Sequence, residues 1–248
     1  MSQPEFYAGT SGLVLPVPNK AAYPPEFQDK SRLCYYASLF NSIEINSSFY
    51  KIPQAATIRK WRESVPDNFR FTFKLWRGIT HEKELQFNPD DIARFMDAIN
   101  EAGEKKGSLL IQFPPSIRAG QFPQLSRLLE AVREADDSWD IAVELRHSSL
   151  YQEQTDLLLT SLNMAMVIHD LPASAAPPEP LDLDFIYLRF HGPNGGYRGS
   201  YADDFLAEYA QNISQWLAEG KRVYTYFNNT MGAAVHNLAT LNQFIQDL

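Results

Sequence analysis

Apolar and polar positions alternate residue by residue in Ile141-Ala142-Val143-Glu144-Leu145-Arg146-His147, the two-residue period of a β-strand. Ile141, Val143 and Leu145 make one face wholly apolar. The other face runs from Ala142 to a carboxylate and a guanidinium, with an imidazole following. Burying such groups costs several kcal/mol each unless they are paired, so a strand that ends this way calls for a partner or a ligand. The same pattern recurs along the chain. Strands are expected at Phe6–Thr10, Ser42–Asn46, Phe69–Lys74, Leu109–Phe113, Ala165–His169, Phe185–His191 and Val223–Phe227, in addition to the stretch from Ile141.

Helical segments are expected between them: 26–40, 55–63, 89–103, 123–135, 152–162, 202–218, and a last helix closing the chain. Pro89 suits a first helical position, where its missing N–H does no harm. Residues 76–88 read as a loop. Residues 171–184 contain four prolines and are too broken for a crossover helix. Eight strands, nearly all followed by a helix within 248 residues, predict an α/β fold, a TIM-type (β/α)8 barrel of one domain over 1–248 whose sixth-to-seventh crossover lacks a full helix. The runner-up is an open doubly wound sheet; no strand is followed by a Gly-x-Gly-x-x-Gly turn.

Composition narrows the classes of partner. With 44% hydrophobic and 21% charged residues the chain reads as a globular protein with a sizeable core. Its net charge of −8 argues against a broad basic surface for nucleic acid or anionic membrane. One cysteine, Cys34, excludes an internal disulfide and reads as helix core. No apolar run reaches the length of a membrane span, and Met1–Glu5 lacks the basic region of a leader, so the expected location is cytoplasmic.

Several stretches together resemble the YecE-like family of uncharacterised proteins. They are Gly9-Thr10-Ser11-Gly12, Glu44-Ile45-Asn46-Ser47-Ser48-Phe49-Tyr50, Phe71-Thr72-Phe73-Lys74 with Ile79-Thr80-His81, Gln112-Phe113-Pro114-Pro115 and Glu144-Leu145-Arg146-His147. Tyr187-Leu188-Arg189-Phe190-His191-Gly192, Tyr197-Arg198-Gly199-Ser200-Tyr201 and Tyr224-Thr225-Tyr226-Phe227-Asn228-Asn229 complete the match. The resemblance implies a TIM-barrel-type fold and a site, with no established activity. Leu13 and Leu150 stand where the family usually carries aromatic residues.

In such barrels functional groups gather at the C-terminal ends of the strands. The expected catalytic set is Glu144, His191, Lys74 and Glu44; the expected ligand-binding set is Thr10, Asn46, Gln112, Arg146, Arg189, Arg198, Asn228 and Asn229. Before Asp170 or any histidine is counted, Lys74, Arg146 and Arg189 exceed Glu44 and Glu144 by one positive charge, which favours a small anionic ligand, phosphorylated or carboxylated. Glu144 would serve as acid or base with His191 as its partner, and Lys74 or Arg189 would stabilise developing negative charge. A lysine with a depressed pKa would instead form a Schiff base. The structural alternative pairs Glu144 with Arg189 and Glu44 with Lys74. No cofactor is expected in the leading reading. A second reading, a divalent-metal phosphodiester hydrolase, would use His169, Asp170 and His191 as metal ligands. A third, non-catalytic nucleic-acid binding, would use Tyr197 and Tyr201 beside Arg198, and Trp76 beside Arg77.

Overall fold

The computed structural model describes residues 5–248; residues 1–4, on which the leader expectation rests, lie outside the described residues. The strands are β1 (Phe6–Thr10), β2 (Ser42–Ile45), β3 (Arg70–Lys74), β4 (Lys106–Gln112), β5 (Asp140–Glu144), β6 (Met164–Met166), β7 (Ile168–His169), β8 (Phe185–Phe190) and β9 (Arg222–Phe227). The helices are α1 (Arg32–Leu39), α2 (Ser47–Tyr50), α3 (Ala55–Glu63), α4 (Arg77–Thr80), α5 (Pro89–Ile99), α6 (Phe122–Ala135), α7 (Glu153–Ser161), α8 (Asp203–Ala218) and α9 (Ala234–Gln246). Strands and helices alternate as the sequence pattern predicts, and no helix forms within 171–184.

Local chemistry sets the boundaries. The helix expected from residue 26 starts at Arg32, because the Ser31 hydroxyl accepts from the Cys34 N–H at 3.1 Å and caps the first turn. Pro25–Phe27 is a separate single turn. The Asn88 side chain caps α5 at Asp90 N, with Pro89 at the first helical position as expected. Residues 76–88, expected as loop, contain the single-turn helix α4.

All strand pairings are parallel. The order β1-β9-β8-β7 makes a four-stranded sheet and β2-β3-β4-β5-β6 a five-stranded one. The α/β class and the parallel pairing are therefore as expected, while the hydrogen-bond ladders fall into two sheets rather than one cylinder. The sixth strand, expected as one run, divides at Val167. Its N–H still donates to Val143 O at 2.9 Å, on the β5 side. From Ile168 the chain pairs with β8 instead.

The seam between β1 and β2 is spanned mainly by side chains. Asn41 accepts from Ala8 N at 2.9 Å and donates to Phe6 O at 2.7 Å. The Tyr36 hydroxyl accepts from Thr10 N at 2.7 Å and donates to Ser42 O at 3.1 Å. A parallel bridge joins Ser11 to Glu44, with Gly12 N donating to Glu44 O at 2.8 Å. Glycine is required at position 9, where a Cβ would stand 2.0 Å from Ser42 O.

The two faces of the strands are packed differently. Ile43, Phe71, Phe73, Leu109, Ile111, Ile141, Val143, Ile186 and Leu188 join the helices in the main hydrophobic cluster. The opposite faces bring together Tyr7, Leu110, Ala142, Ala165, Val167, Phe185, Tyr187, Tyr224 and Tyr226. That second cluster sets four tyrosines among its aliphatic residues. The Tyr226 hydroxyl, for example, lies 2.6 Å from both Ser42 Oγ and Thr72 Oγ1. A core of tyrosines needs polar partners, and this chemistry leads directly into the buried charges above it.

Candidate functional site

The period-2 alternation that sends Ile141 and Val143 to the helices sends Glu144 the other way, and strand register then aligns the polar ends. Gln112 is opposite Glu144, His169 opposite Arg189, and Glu44 opposite Thr72. Glu44, Glu144, Arg189 and His191 are essentially inaccessible to solvent; Lys74 retains 8% exposure.

Arg189 is the hub. Its Nε donates to Glu44 Oε2 at 3.0 Å and its Nη2 to Glu44 Oε1 at 2.8 Å. Its Nη1 donates to Glu144 Oε2 at 2.9 Å and to His191 Nε2 at 3.0 Å, and Nη2 also reaches Ser11 Oγ at 3.1 Å. All five N–H directions of a guanidinium are thus used within the protein. Of the two ion pairs expected from the sequence, Glu144–Arg189 is present. Glu44 turns to Arg189 instead of Lys74, and it also accepts from Tyr187 Oη at 2.6 Å and from Ser11 Oγ. Arg146 Nε donates to the remaining oxygen of Glu144.

Electrostatics follow from this closure. Burial alone would raise both carboxyls. Arg189 outweighs it at Glu44, and Arg189 with Arg146 does so at Glu144, which is held well below the usual carboxylate range. His191 is placed between donors. Its Nε2 faces Arg189 Nη1 and, at 3.2 Å, Arg146 Nη2. Guanidiniums only donate, so Nε2 is the acceptor and the proton sits on Nδ1, 3.4 Å from Asp170 Oδ1. Burial, against the pull of Asp170 and Glu144, lowers the imidazole to about 4, and it is neutral at physiological pH. Asp170 in turn accepts from His191 N at 2.7 Å and from the Tyr201 hydroxyl.

Lys74 differs from its neighbours. Among the described residues its Nζ forms no ion pair or hydrogen bond, and it rests 4.0 Å from the centroid of the Phe49 ring. Burial, reinforced by the nearby Arg189 charge, brings its pKa down to about 7. His81, edge-on to the same ring at 4.9 Å, is lowered to about 4 by burial and by Lys74.

A cleft of about 170 Å³ opens above this layer, lined by Asn46, Phe49, Tyr50, Lys74, Gln112, Arg146, Arg189, Tyr197 and Asn228. Six of the twelve residues expected in the catalytic and ligand-binding sets therefore line one cavity: Lys74, Asn46, Gln112, Arg146, Arg189 and Asn228. Glu44, Glu144 and His191 lie beneath it, behind the two arginines. Thr10 is taken up at the β1–β2 seam, where its hydroxyl donates to Gly12 O at 2.7 Å. Asn229 holds Gly199 O and Asn237 Oδ1, each at 3.0 Å. Arg198 is exposed on its loop and does not line the cleft.

Of the residues weighed as metal ligands, His169 Nε2 lies 2.9 Å from Leu145 O and 3.1 Å from Tyr151 Oη. Among the described residues no three His, Cys, Asp or Glu side chains gather as a metal-holding group. Tyr201, considered for base stacking, is buried. Sequence reasoning did not single out Phe49 or Tyr50 as site residues. Their position in the first turn after a strand end was the available signal. Tyr197, at the mouth, holds a left-handed φ of 63°, fixed by Tyr197 N donating to His191 O and Met231 N donating to Tyr197 O. No helix among the described residues is long and apolar enough to cross a membrane.

Comparison with known proteins places the chain. The family described as "Protein of unknown function DUF72" matches residues 7–247. UPF0759 protein YunF of Bacillus subtilis is 25% identical over 240 residues, covering 85% of this chain and 84% of that protein. UPF0759 protein YecE of Escherichia coli K12 is 28% identical over 124 residues, 48% of this chain, and that match spans only 44% of its length. Crystal structures of DUF72 family proteins from Enterococcus faecalis (TM-score 0.79, 23% identity, 99% of both chains) and Thermotoga maritima (TM-score 0.76, 24% identity, 98% of this chain and 99% of that one) share the fold. With a family match running through nearly the entire sequence, the chain belongs to DUF72, the YecE-like proteins.

Proposed function

We propose that the chain is an enzyme acting on a small anionic metabolite, phosphorylated or carboxylated, in the cleft at the C-terminal strand ends. One observation carries this reading: Lys74 is a buried cation without a carboxylate, because Glu44 and Glu144 are both held by arginines. The two arginines are paired with the two glutamates, and Asp170 is engaged by His191 N and the Tyr201 hydroxyl, which leaves the lysine without an anion in direct contact. Arg146 and the side-chain amides of Asn46, Gln112 and Asn228 supply further polar groups around it. About 170 Å³ is below the roughly 300 Å³ at which pockets for drug-sized ligands begin, so the ligand is small. Lys74, near 7, is matched to proton transfer at neutral pH. Glu144 and His191, the pair expected from sequence, act here by holding Arg146 and Arg189 in place.

We further propose that the two sheets close as a (β/α)8 barrel. The single-residue step from β6 to β7 at Val167 and the bridged β1–β2 seam support closure on both sides.

The test of the anion reading is thermal unfolding with phosphate or pyruvate, read against pH. An anion that requires the ammonium binds fully below about pH 7 and loses roughly tenfold in affinity per pH unit above it. Saturating anion should stabilise the protein by about 2.7 kcal/mol at roughly 100 times Kd near pH 6, with the gain shrinking toward pH 8 and absent in Lys74→Met. Equal stabilisation of the Lys74→Met variant would refute the reading.

A further inference from the structure

We propose that Lys74 forms a Schiff base with a small oxo acid, the amine attacking the ligand's carbonyl carbon while Arg146 holds its carboxylate. This rests on the anion reading and adds a covalent step to it.

Three features point past a simple charge contact. Lys74 Nζ makes no hydrogen bond or ion pair among the described residues, so no acceptor in direct contact holds its proton, and the amine sits 4.0 Å from the Phe49 ring centroid. Desolvation disfavours its ammonium, and the nearby guanidinium of Arg189 adds to that. A lysine is made nucleophilic by a desolvated setting or a cationic neighbour, and here both are present. The Phe49 ring, 4.0 Å from Nζ, offers a π-face that attracts the cationic iminium as it attracts the ammonium. Arg146 spends Nε on Glu144 and Nη2 on His191. Its Nη1 has no partner among the described residues, which leaves a charged donor for a carboxylate beside the amine.

The step balances without a redox partner. The amine nitrogen forms a C–N bond to the carbonyl carbon, and the carbonyl oxygen takes one proton from that nitrogen and one from solvent at the mouth of the cleft. Water then leaves with the oxygen, and the C=N⁺ iminium remains on Lys74.

Borohydride trapping of the full chain tests this. The protein is incubated with pyruvate or with glyoxylate and treated with sodium borohydride, which delivers hydride to an iminium carbon. The intact mass should rise by one molecule of the acid less one oxygen atom, and peptide mapping should place the adduct on Lys74. The adduct should be lost in Lys74→Arg and in Lys74→Met, with circular dichroism confirming that each variant is folded. Adducts spread over surface lysines, or an adduct retained in the variants, would overturn the proposal. Lys74-dependent pyruvate binding by calorimetry with no trapped adduct would overturn the Schiff base and leave the anion reading standing. No binding of either phosphate or pyruvate would overturn both.

Discussion

Replacing Arg189 with methionine removes the one cation shared by two buried glutamates. Methionine fills much of the same volume, so the packing loss is secondary. Arg146 still partners Glu144, whereas Glu44, with no exposure to solvent, keeps only the hydroxyls of Ser11 and Tyr187. Removing one partner of a buried ion pair costs about 3–5 kcal/mol. Against a typical total stability of about 5–15 kcal/mol, that is a large share, and it corresponds to a fall of roughly 2–4 °C in Tm per kcal/mol for a chain of this size. The pH dependence carries the diagnosis. In the wild type both glutamates titrate below their ordinary 4.5, so their stabilisation is complete above that value and fades as pH falls through the folded pKa. Without Arg189, burial governs Glu44 and raises its pKa, and its penalty grows as pH rises past 4.5. The gap between wild type and variant is therefore widest at neutral pH and narrows in acid. Urea unfolding followed by circular dichroism at both ends of this range measures it. Adding Glu44→Gln to the Arg189→Met background should recover part of the loss, since no charge is then left buried. A deficit below about 1 kcal/mol at neutral pH, or one that widens in acid, would refute the account of Arg189 as the hub.

Two further outcomes follow from the same geometry. Nitrogen NMR of His191 should show a neutral ring protonated at Nδ1 down to about pH 4, because two guanidiniums donate to Nε2; a ring that titrates near 6.5 would contradict that arrangement. Gly9→Ala pushes a Cβ to 2.0 Å from Ser42 O and should cost about 3 kcal/mol by overpacking. It should also speed amide exchange at Ala8 and Thr10, and unchanged exchange at this seam would count against barrel closure.

The alternation of side chains along the strands was readable from sequence because it depends only on backbone geometry. Ile141 and Val143 on one face and Glu144 on the other follow from a period of two, whatever the strand packs against. Helix starts were less legible: Ser31 outcompetes the residues before it by accepting a single N–H, and the periodic pattern from residue 26 does not carry that information. The polar strand ends were visible as a set, and so was the excess of one cation. Which cation stays unpaired was not visible. Glu44 and Lys74 look like natural partners in sequence, but the register brings Arg189 between two carboxylates, and a planar fork serves both better than one ammonium does. Tertiary structure alone therefore decided that Arg189 is saturated, that His191 is locked as an acceptor, and that Lys74 faces the cleft over Phe49 without a carboxylate. Those outcomes depend on distances between strands far apart in the chain, where burial amplifies every charge, and no local pattern encodes them.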